Sequence, residues 1–398
     1  MSRFLQLISN DAERLKYEFK RIGVDEYAFK MAGKGKSLNI KVKDLIPAQA
    51  NIIKQESLAA GMDAAVSRGT VGCNVNKTDL LLMGNTIQYK RLIDRLKVQP
   101  YSLKLFAEEL FNFLDKKKNR MLVTPSGELA LDEPEIMGIL NVTPDSFSDG
   151  GDYFLHTDYR RRIDEIKDAG VKVIDIGGES SRPGSTPVDA ETEKERIAGA
   201  VEYALSSGLK VSVDTYKSAV AKDVLEKGAD IINDISGFKF DRDMPKVCAD
   251  YGAAVCLMHT SSTPDKMQQK TDYANFLEEV KAYLFDSAEM ALKAGIKEES
   301  IILDPGFGFG KKLNDNYLLL KYLDEFKSTG MPIMIGVSRK SMINRVVDKP
   351  PGETALASKI AETIALVQGA DIVRTHDISE TLDMVKIIRE YRKADPDG

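Results

Sequence analysis

The stretch KGADIINDISG, residues 227–237, decides how the chain folds. A glycine follows a helical pattern, a short β-branched run comes next, and the run breaks into polar residues. AGVKVIDIGGE (169–179) and QGADIVRTHDI (368–378) repeat that order. Parallel strands buried on both faces read this way: a helix and its glycine C-cap come first, and polar residues gather at the carboxyl end. Runs of the same type are IMGIL (136–140), KVSVD (210–214), AVCLMH (254–259), IILD (301–304) and PIMIGVS (332–338), which makes eight. Helical patterns such as DYRRRIDEIKDAG and KSAVAKDVLEKG lie between them. Eight βα units over the C-terminal two thirds predict an α/β fold, a (βα)8 TIM barrel. An open doubly wound sheet is the alternative, and eight regular units favour closure over it.

Upstream, NDAERLKYEFKRIG, NIIKQESLAAGMDAAVSRG and YSLKLFAEELFNFL carry helical spacing, and SLNIKVKDL and TDLLLMG read as strands. They predict a smaller α/β or α+β N-terminal domain. The stretch MLVTPSGELALDEPE (121–135), with its prolines, glycine and acids, marks the boundary. The expected organisation is an N-terminal extension over residues 1–125 and a catalytic barrel over 126–398.

Composition narrows the function. A net charge of −5 and a pI near 5.6 lack the basic excess of nucleic-acid binders. No apolar run reaches the roughly 18 residues of a membrane span, and the N-terminus has no signal-peptide core. The three cysteines, Cys73, Cys248 and Cys256, are too scattered for a disulfide framework or a Cys-x-x-Cys site. A cytoplasmic protein that binds neither nucleic acid nor membrane is expected. The basic run DKKKNR (115–120) reads as a solvated helix end.

A barrel's active site lies at the C-terminal mouth, so the residues after each strand carry the functional reading. In order they are Asn141, Asp145 and Asp149; Glu179, Ser181 and Arg182; Asp214; Asn233 and Asp234; His259; Asp304; Ser338, Arg339, Lys340 and Ser341; and Arg374, His376 and Asp377. Singly, each reads as a turn or cap residue. Their convergence on one ring is the stronger signal. Asp214, Asn233 and Asp304 suit a flat heterocycle with adjacent N–H donors. Arg374, His376 and Arg182 suit an anion, placed where barrels often bind phosphate. A tightly held zinc is not expected, since no His-x-x-x-His or cysteine cluster accompanies the histidines. A hard cation such as Mg²⁺, held by Asn141 and ligand phosphates, leaves little trace in a sequence. The glycine-rich LDPGFGFGKK (303–312) misses both the P-loop and the dinucleotide spacing.

MGILNVTPDSFSDGGDYF (137–154), DIGGESSRPGS (175–185), SVDTYKSAVA (212–221), INDISG (232–237), LMHTSSTPDKMQ (257–268), LDPGFGFGKK, GVSRKSMI (336–343) and VRTHDI (373–378) together resemble dihydropteroate synthase. The resemblance covers about residues 128–395, in the family's order. It implies a Mg²⁺-assisted transferase of folate biosynthesis. Such an enzyme joins 6-hydroxymethyl-7,8-dihydropterin pyrophosphate to 4-aminobenzoate and is commonly a homodimer. On this resemblance Asp214, Asn233, Asp304 and Lys340 hold the pterin. Asn141 meets Mg²⁺ and pyrophosphate, which Arg374 and His376 grip. The loops with Asp145, Phe147 and Asp149, and with Ser181, Arg182 and Pro183, close over the second substrate. Ser341 meets its carboxylate and Phe309 flanks its ring. Asp149, Lys340, Asp214 and Arg182 are the expected catalytic residues. Where the family usually has Thr, this chain has Ser181, which keeps the hydroxyl and loses a methyl.

Other readings share some of these residues. A corrinoid-linked methyltransferase barrel would share Asp214, Asn233 and Asp304, but the SFSDGG and SSRPGS loops and the anion grip speak against it. A Schiff-base lyase would need Lys340 among apolar neighbours rather than beside Arg339 and two serines. A non-catalytic pterin binder would not need the anion-binding residues.

Overall fold

The structure, a computed structural model, describes residues 8–116, 120–143, 151–181 and 184–395, with 151–158 described by backbone alone. The chain divides into two compact units, Met1–Lys116 with Lys393–Gly398, and Lys117–Arg392.

The first unit holds α1 (Ala12–Ile22), a 3₁₀ segment (Glu26–Lys34), β1 (Ser37–Leu45), α2 (Pro47–Ala59), β2 (Asp63–Val66), β3 (Thr78–Asn85), α3 (Thr86–Leu96) and α4 (Leu103–Asp115). Asp11 caps α1 by accepting from the Glu13 and Arg14 amides, and Gly23 ends it in the left-handed conformation. The three strands form an antiparallel sheet in the order β1–β3–β2. Along β3, Thr78, Leu80 and Leu82 point inward, and the two leucines join a core with Ile53, Tyr89 and Leu92. The segment DAAV, which the sequence places inside a helix, forms β2 because Gly61 ends α2 in a left-handed turn.

In the second unit a hairpin, β4 (Met121–Thr124) and β5 (Gly127–Ala130), precedes the barrel. The sequence marks this stretch as the domain boundary. Leu122, Leu129 and Leu131 instead pack with Met137, Val173, Ile231, Ile302 and Ile372, which lie near the N-terminal ends of barrel strands. The barrel strands are β6 (Glu135–Asn141), β7 (Val173–Gly177), β8 (Lys210–Asp214), β9 (Ile231–Asp234), β10 (Ala254–Met258), β11 (Ile301–Asp304), β12 (Met334–Ile335) and β13 (Ile372–Thr375). They are parallel neighbours in the order β11–β10–β9–β8–β7–β6–β13–β12. A parallel bridge between Leu303 and Ile333 joins the two ends, so the sheet closes. The chain folds as the expected TIM barrel.

The helices that follow the strands are α5 (Gly151–Asp168), α6 (Ala190–Ser206), α7 (Ser218–Glu226), α8 (Met244–Asp250), α9 (Phe276–Ala294), α10 (Leu313–Lys321), α11 (Ser341–Val347), α12 (Ala355–Gln368) and α13 (Ile378–Lys393). Each barrel strand is followed by at least one, and the short α11 is additional, between β12 and α12. Isoleucine, valine and leucine side chains of strands and helices form one large core between the two layers.

Candidate active site

The carboxyl ends of the strands carry polar residues, as barrel geometry requires of a site. At their centre lies Asp175, fully buried on β7. Its Oδ2 accepts from Arg374 Nε (2.6 Å) and Asn233 Nδ2 (3.1 Å), and its Oδ1 accepts from Ser212 Oγ (2.6 Å). Arg374 Nη2 also donates to Asp214 Oδ2 at 2.9 Å. Strands β7, β8, β9 and β13 are thus tied together by side chains. Three residues of the expected ring, Asp214, Asn233 and Arg374, join one network on this side of the mouth.

Burial sets the electrostatics. It pushes the Asp214 carboxyl up to about 7, against the pull of Arg374. Burial also opposes the charge on Arg374, yet Asp175 and Asp214 hold it above the usual guanidinium value. Asn233 donates one of its two amide hydrogens to Asp175, and its carbonyl oxygen takes no part in that bond. A Cβ added at Gly177 would lie 3.7 Å from Asn141 Oδ1 and 3.9 Å from Asp214 Oδ2, so bare backbone separates these two side chains.

Across the mouth, Asp304 ends β11 and accepts from the Gly306 amide at 2.7 Å. Burial raises its pKa, and Lys340 opposes the shift. Burial lowers Lys340 to about 8, and Asp304 opposes that shift. Lys340 Nζ donates to the Phe307 carbonyl (2.6 Å) and sits 4.7 Å from the centre of the Phe309 ring. A Cβ added at Gly336 would lie 3.8 Å from both Lys340 Nζ and Arg374 Cβ, so Lys340 and Arg374 are brought close. Lys340 forms the N-cap of α11, and exposed Ser341 opens that helix.

His376 follows β13. Its amide donates to Ser338 Oγ (3.4 Å), and its carbonyl accepts from Arg162 Nη2 (2.6 Å). Burial first, then Arg374 and Arg339, lowers its imidazole to about 3. It is therefore neutral at pH 7 in the ligand-free protein, and Arg374 alone of the pair carries a charge.

Several rim residues have partners that are structural. Asp234 accepts from Ser236 and the Phe238 amide, which closes a turn. Glu179 binds Tyr216, Lys217 and the Val188 amide behind the loop that carries Ser181. Asp377 pairs with Arg339. Ser181 is half-buried. Asp145, Phe147, Asp149, Arg182 and Pro183 lie outside the described residues.

Sequence reasoning missed Asp175, the hub of the network, and Lys311, a buried lysine behind the glycine-rich loop. Asp175 carried a signal: an acid in the middle of the apolar run VIDIG is costly to bury unless it is paired. Among the described residues no group of three His, Cys, Asp or Glu side chains is placed to hold a metal ion. No helix among them is long and apolar enough to cross a membrane.

The pterin-binding enzyme family matches residues 137–376. A probable bifunctional folylpolyglutamate synthase/dihydropteroate synthase of Haloferax volcanii is 38% identical over 351 residues, covering 85% of this chain and 41% of that protein. That span is longer than the barrel unit, so the likeness reaches into the N-terminal unit. This chain spans about two fifths of the length of such bifunctional relatives. The dihydropteroate synthase of Escherichia coli K12 is 41% identical over 261 residues, 65% of this chain and 92% of that enzyme. The Xanthomonas albilineans dihydropteroate synthase solved with 4-aminobenzoic acid superposes with a TM-score of 0.65 at 33% identity, covering 69% of this chain and 99% of that one. These likenesses favour the synthase over the corrinoid-linked methyltransferase. With a matching family over most of the barrel and a relative covered nearly end to end, the chain belongs to the pterin-binding enzymes and, among them, to the dihydropteroate synthases.

Proposed function

We propose that the protein condenses 6-hydroxymethyl-7,8-dihydropterin pyrophosphate with 4-aminobenzoate, giving 7,8-dihydropteroate and pyrophosphate. One observation carries the reading. Asp214, Asn233, Asp304, Lys340 and Arg374 come from five different strand ends, and polar contacts and close approach join them at one mouth.

Asp214, the carbonyl of Asn233 and Asp304 are acceptors that match the N–H donors along one edge of a pterin. Lys340 acts on Asp304 electrostatically and lies 4.7 Å from the centre of the Phe309 ring; on this reading it donates to the heterocycle and borders the second substrate. Arg374 faces the diphosphate with its position fixed by two carboxylates, so little reorganisation is needed when charge develops on the leaving group. His376 meets that anion as a neutral hydrogen-bond donor.

The donor set fits Mg²⁺. Asn141 offers one amide oxygen beside Asp214, and a cation that keeps its waters and binds chiefly through ligand phosphates needs no protein cage. Bound there, Mg²⁺ supplies charge neutralisation for the departing pyrophosphate. Departure leaves a methylene cation stabilised by the pterin ring, and the arylamine then attacks it. Ser341 at the start of α11 takes the arylamine carboxylate, and Phe309 flanks its ring. Asp149, Phe147, Ser181, Arg182 and Pro183 complete the roles, with Asp149 stabilising the cation and the others covering the second substrate.

A homodimer is the proposed assembly. Leu356, Ile360, Ile364 and Val367 form an exposed apolar stripe along α12, which supports it. Cytoplasmic location follows from the substrates of such a reaction.

The test is pyrophosphate release from the dihydropterin pyrophosphate, measured with and without 4-aminobenzoate. Stoichiometric release that depends on the arylamine and is lost on chelating Mg²⁺ is expected. No release under any condition removes the assignment.

A further inference from the structure

The loop Gly306–Gly310 is bound by its carbonyls. Gly306 and Phe309 give theirs to Lys311 Nζ (2.7 and 3.0 Å), Phe307 to Lys340 (2.6 Å), Gly308 to Gln268 (3.0 Å) and Gly310 to Tyr273 (2.8 Å). Lys311 thus takes two of the five. The same ammonium reaches His259 Nδ1 at 2.8 Å and the His259 carbonyl at 3.3 Å, at the end of β10. It is 5% exposed. Three N–H donors serve four acceptors in a buried shell, and the reaction outlined above gives this lysine nothing to do.

The conformation it holds is costly. Gly306, Gly308 and Gly310 all have left-handed φ. A Cβ at Gly306 would collide with the His259 carbonyl, and one at Gly310 with Ser261 Oγ, so the loop backbone is pressed onto the end of β10. Turning the Gly306 and Phe309 carbonyls inward leaves buried acceptors that need a donor. With its carbonyl clasped, Phe309 holds its ring against the Lys340 ammonium, within cation–π reach. Asp304 is placed first by its own strand, which pairs with β10, although its carboxylate also accepts from the clasped Gly306 and feels the Lys311 charge.

We infer that Lys311 is a positioning residue for the arylamine: it clasps the glycine-rich loop to His259 and so sets Phe309 beside Lys340, fixing the 4-aminobenzoate subsite more than the pterin subsite, whose Asp304 is placed by its own strand. The inference rests on the synthase reading. A substrate-specific effect follows, whereas a residue serving stability alone would disturb both substrates or neither.

The experiment compares the full-length protein with Lys311→Met, which keeps the stem and removes the donors. Steady-state kinetics give KM for 4-aminobenzoate, and calorimetry gives Kd for the dihydropterin pyrophosphate. Expected is a rise in the 4-aminobenzoate KM of about tenfold to a hundredfold, the scale for misplacing a reactant by about an ångström. The pterin Kd is expected to stay within about threefold, and Lys311→Gln, which restores part of the donor set, to fall between the two. Unchanged 4-aminobenzoate KM in a folded variant overturns the inference, as does loss of pterin affinity alongside it. If neither variant folds, the lysine serves stability alone and the inference is equally overturned. Absence of turnover in the unmodified protein would instead remove the synthase reading, so the two failures are distinguishable.

Discussion

At Asp214, burial and a guanidinium pull one proton in opposite directions. Burial wins and raises the carboxyl to about 7. Its folded value lies above its unfolded one, so its contribution to stability is full below about pH 4 and is lost as the pH rises to about 7. Ligand binding runs the other way, because only the ionised carboxylate accepts two N–H donors from a pterin edge. Affinity for the dihydropterin pyrophosphate should weaken as the pH falls from about 8 to about 6, and Asp214→Asn should flatten that dependence in a calorimetric titration. The same substitution should lower kcat/KM by about a hundredfold to a thousandfold, the scale for removing one preorganised electrostatic group. A variant with wild-type pH dependence would show that another group governs binding. The sequence pointed to Asp214 because it ends an apolar run. It pointed to Asp175 less directly, because that acid lies inside the run VIDIG rather than at its end, and only the cost of burying an unpaired carboxylate marks it.

Among the elements, the strands were readable and their surroundings less so. Apolar runs after glycine C-caps locate the eight barrel strands, but PIMIGVS contributes only Met334–Ile335 as regular strand. Its later residues stay buried beyond the regular strand, and Arg339, at a φ of 57°, and Lys340 follow them. The hairpin β4–β5 was hidden by its prolines, glycine and acids, which in sequence alone look like a domain boundary. Its anchor is Asp230, whose Oδ1 accepts from Thr124 Oγ1 (2.9 Å), the Ser126 amide (3.2 Å) and Ser126 Oγ, while Oδ2 accepts from the Val211 amide (3.1 Å). Lys210 Nζ bridges to Thr124, Ser126 and the Gly127 carbonyl. This cluster lies at the N-terminal end of the strands, where a barrel keeps its stability rather than its chemistry. Asp230→Ala should therefore cost about 3–5 kcal/mol in urea unfolding, the range for breaking a buried charged network. It should leave kcat/KM within about threefold. A large kinetic effect without destabilisation would contradict that division of labour.

For the whole molecule, the barrel and the N-terminal unit stand differently. The barrel's chemistry was legible because its motifs sit at strand ends, whereas the described residues of the N-terminal unit form a sheet, four α-helices and their core, and its sequence offers no comparable series of polar strand ends. Assembly is testable on the barrel. Leu356, 76% exposed, heads a stripe that continues through Ile360, Ile364 and Val367 at helical spacing, and burying it against a second copy is the physical basis of the proposed dimer. Ile360→Glu should shift sedimentation from dimer to monomer at micromolar concentration. An unmodified protein that sediments as a monomer would remove the dimer. On the proposed function, one mouth holds a pterin diphosphate and an arylamine together. The decisive measurement incubates the protein with both substrates and Mg²⁺ and follows 7,8-dihydropteroate by mass spectrometry. Product formed with an equal amount of pyrophosphate, requiring both substrates and sharply reduced in Asp214→Asn, is the predicted result. No product, or product undiminished in that variant, would contradict it.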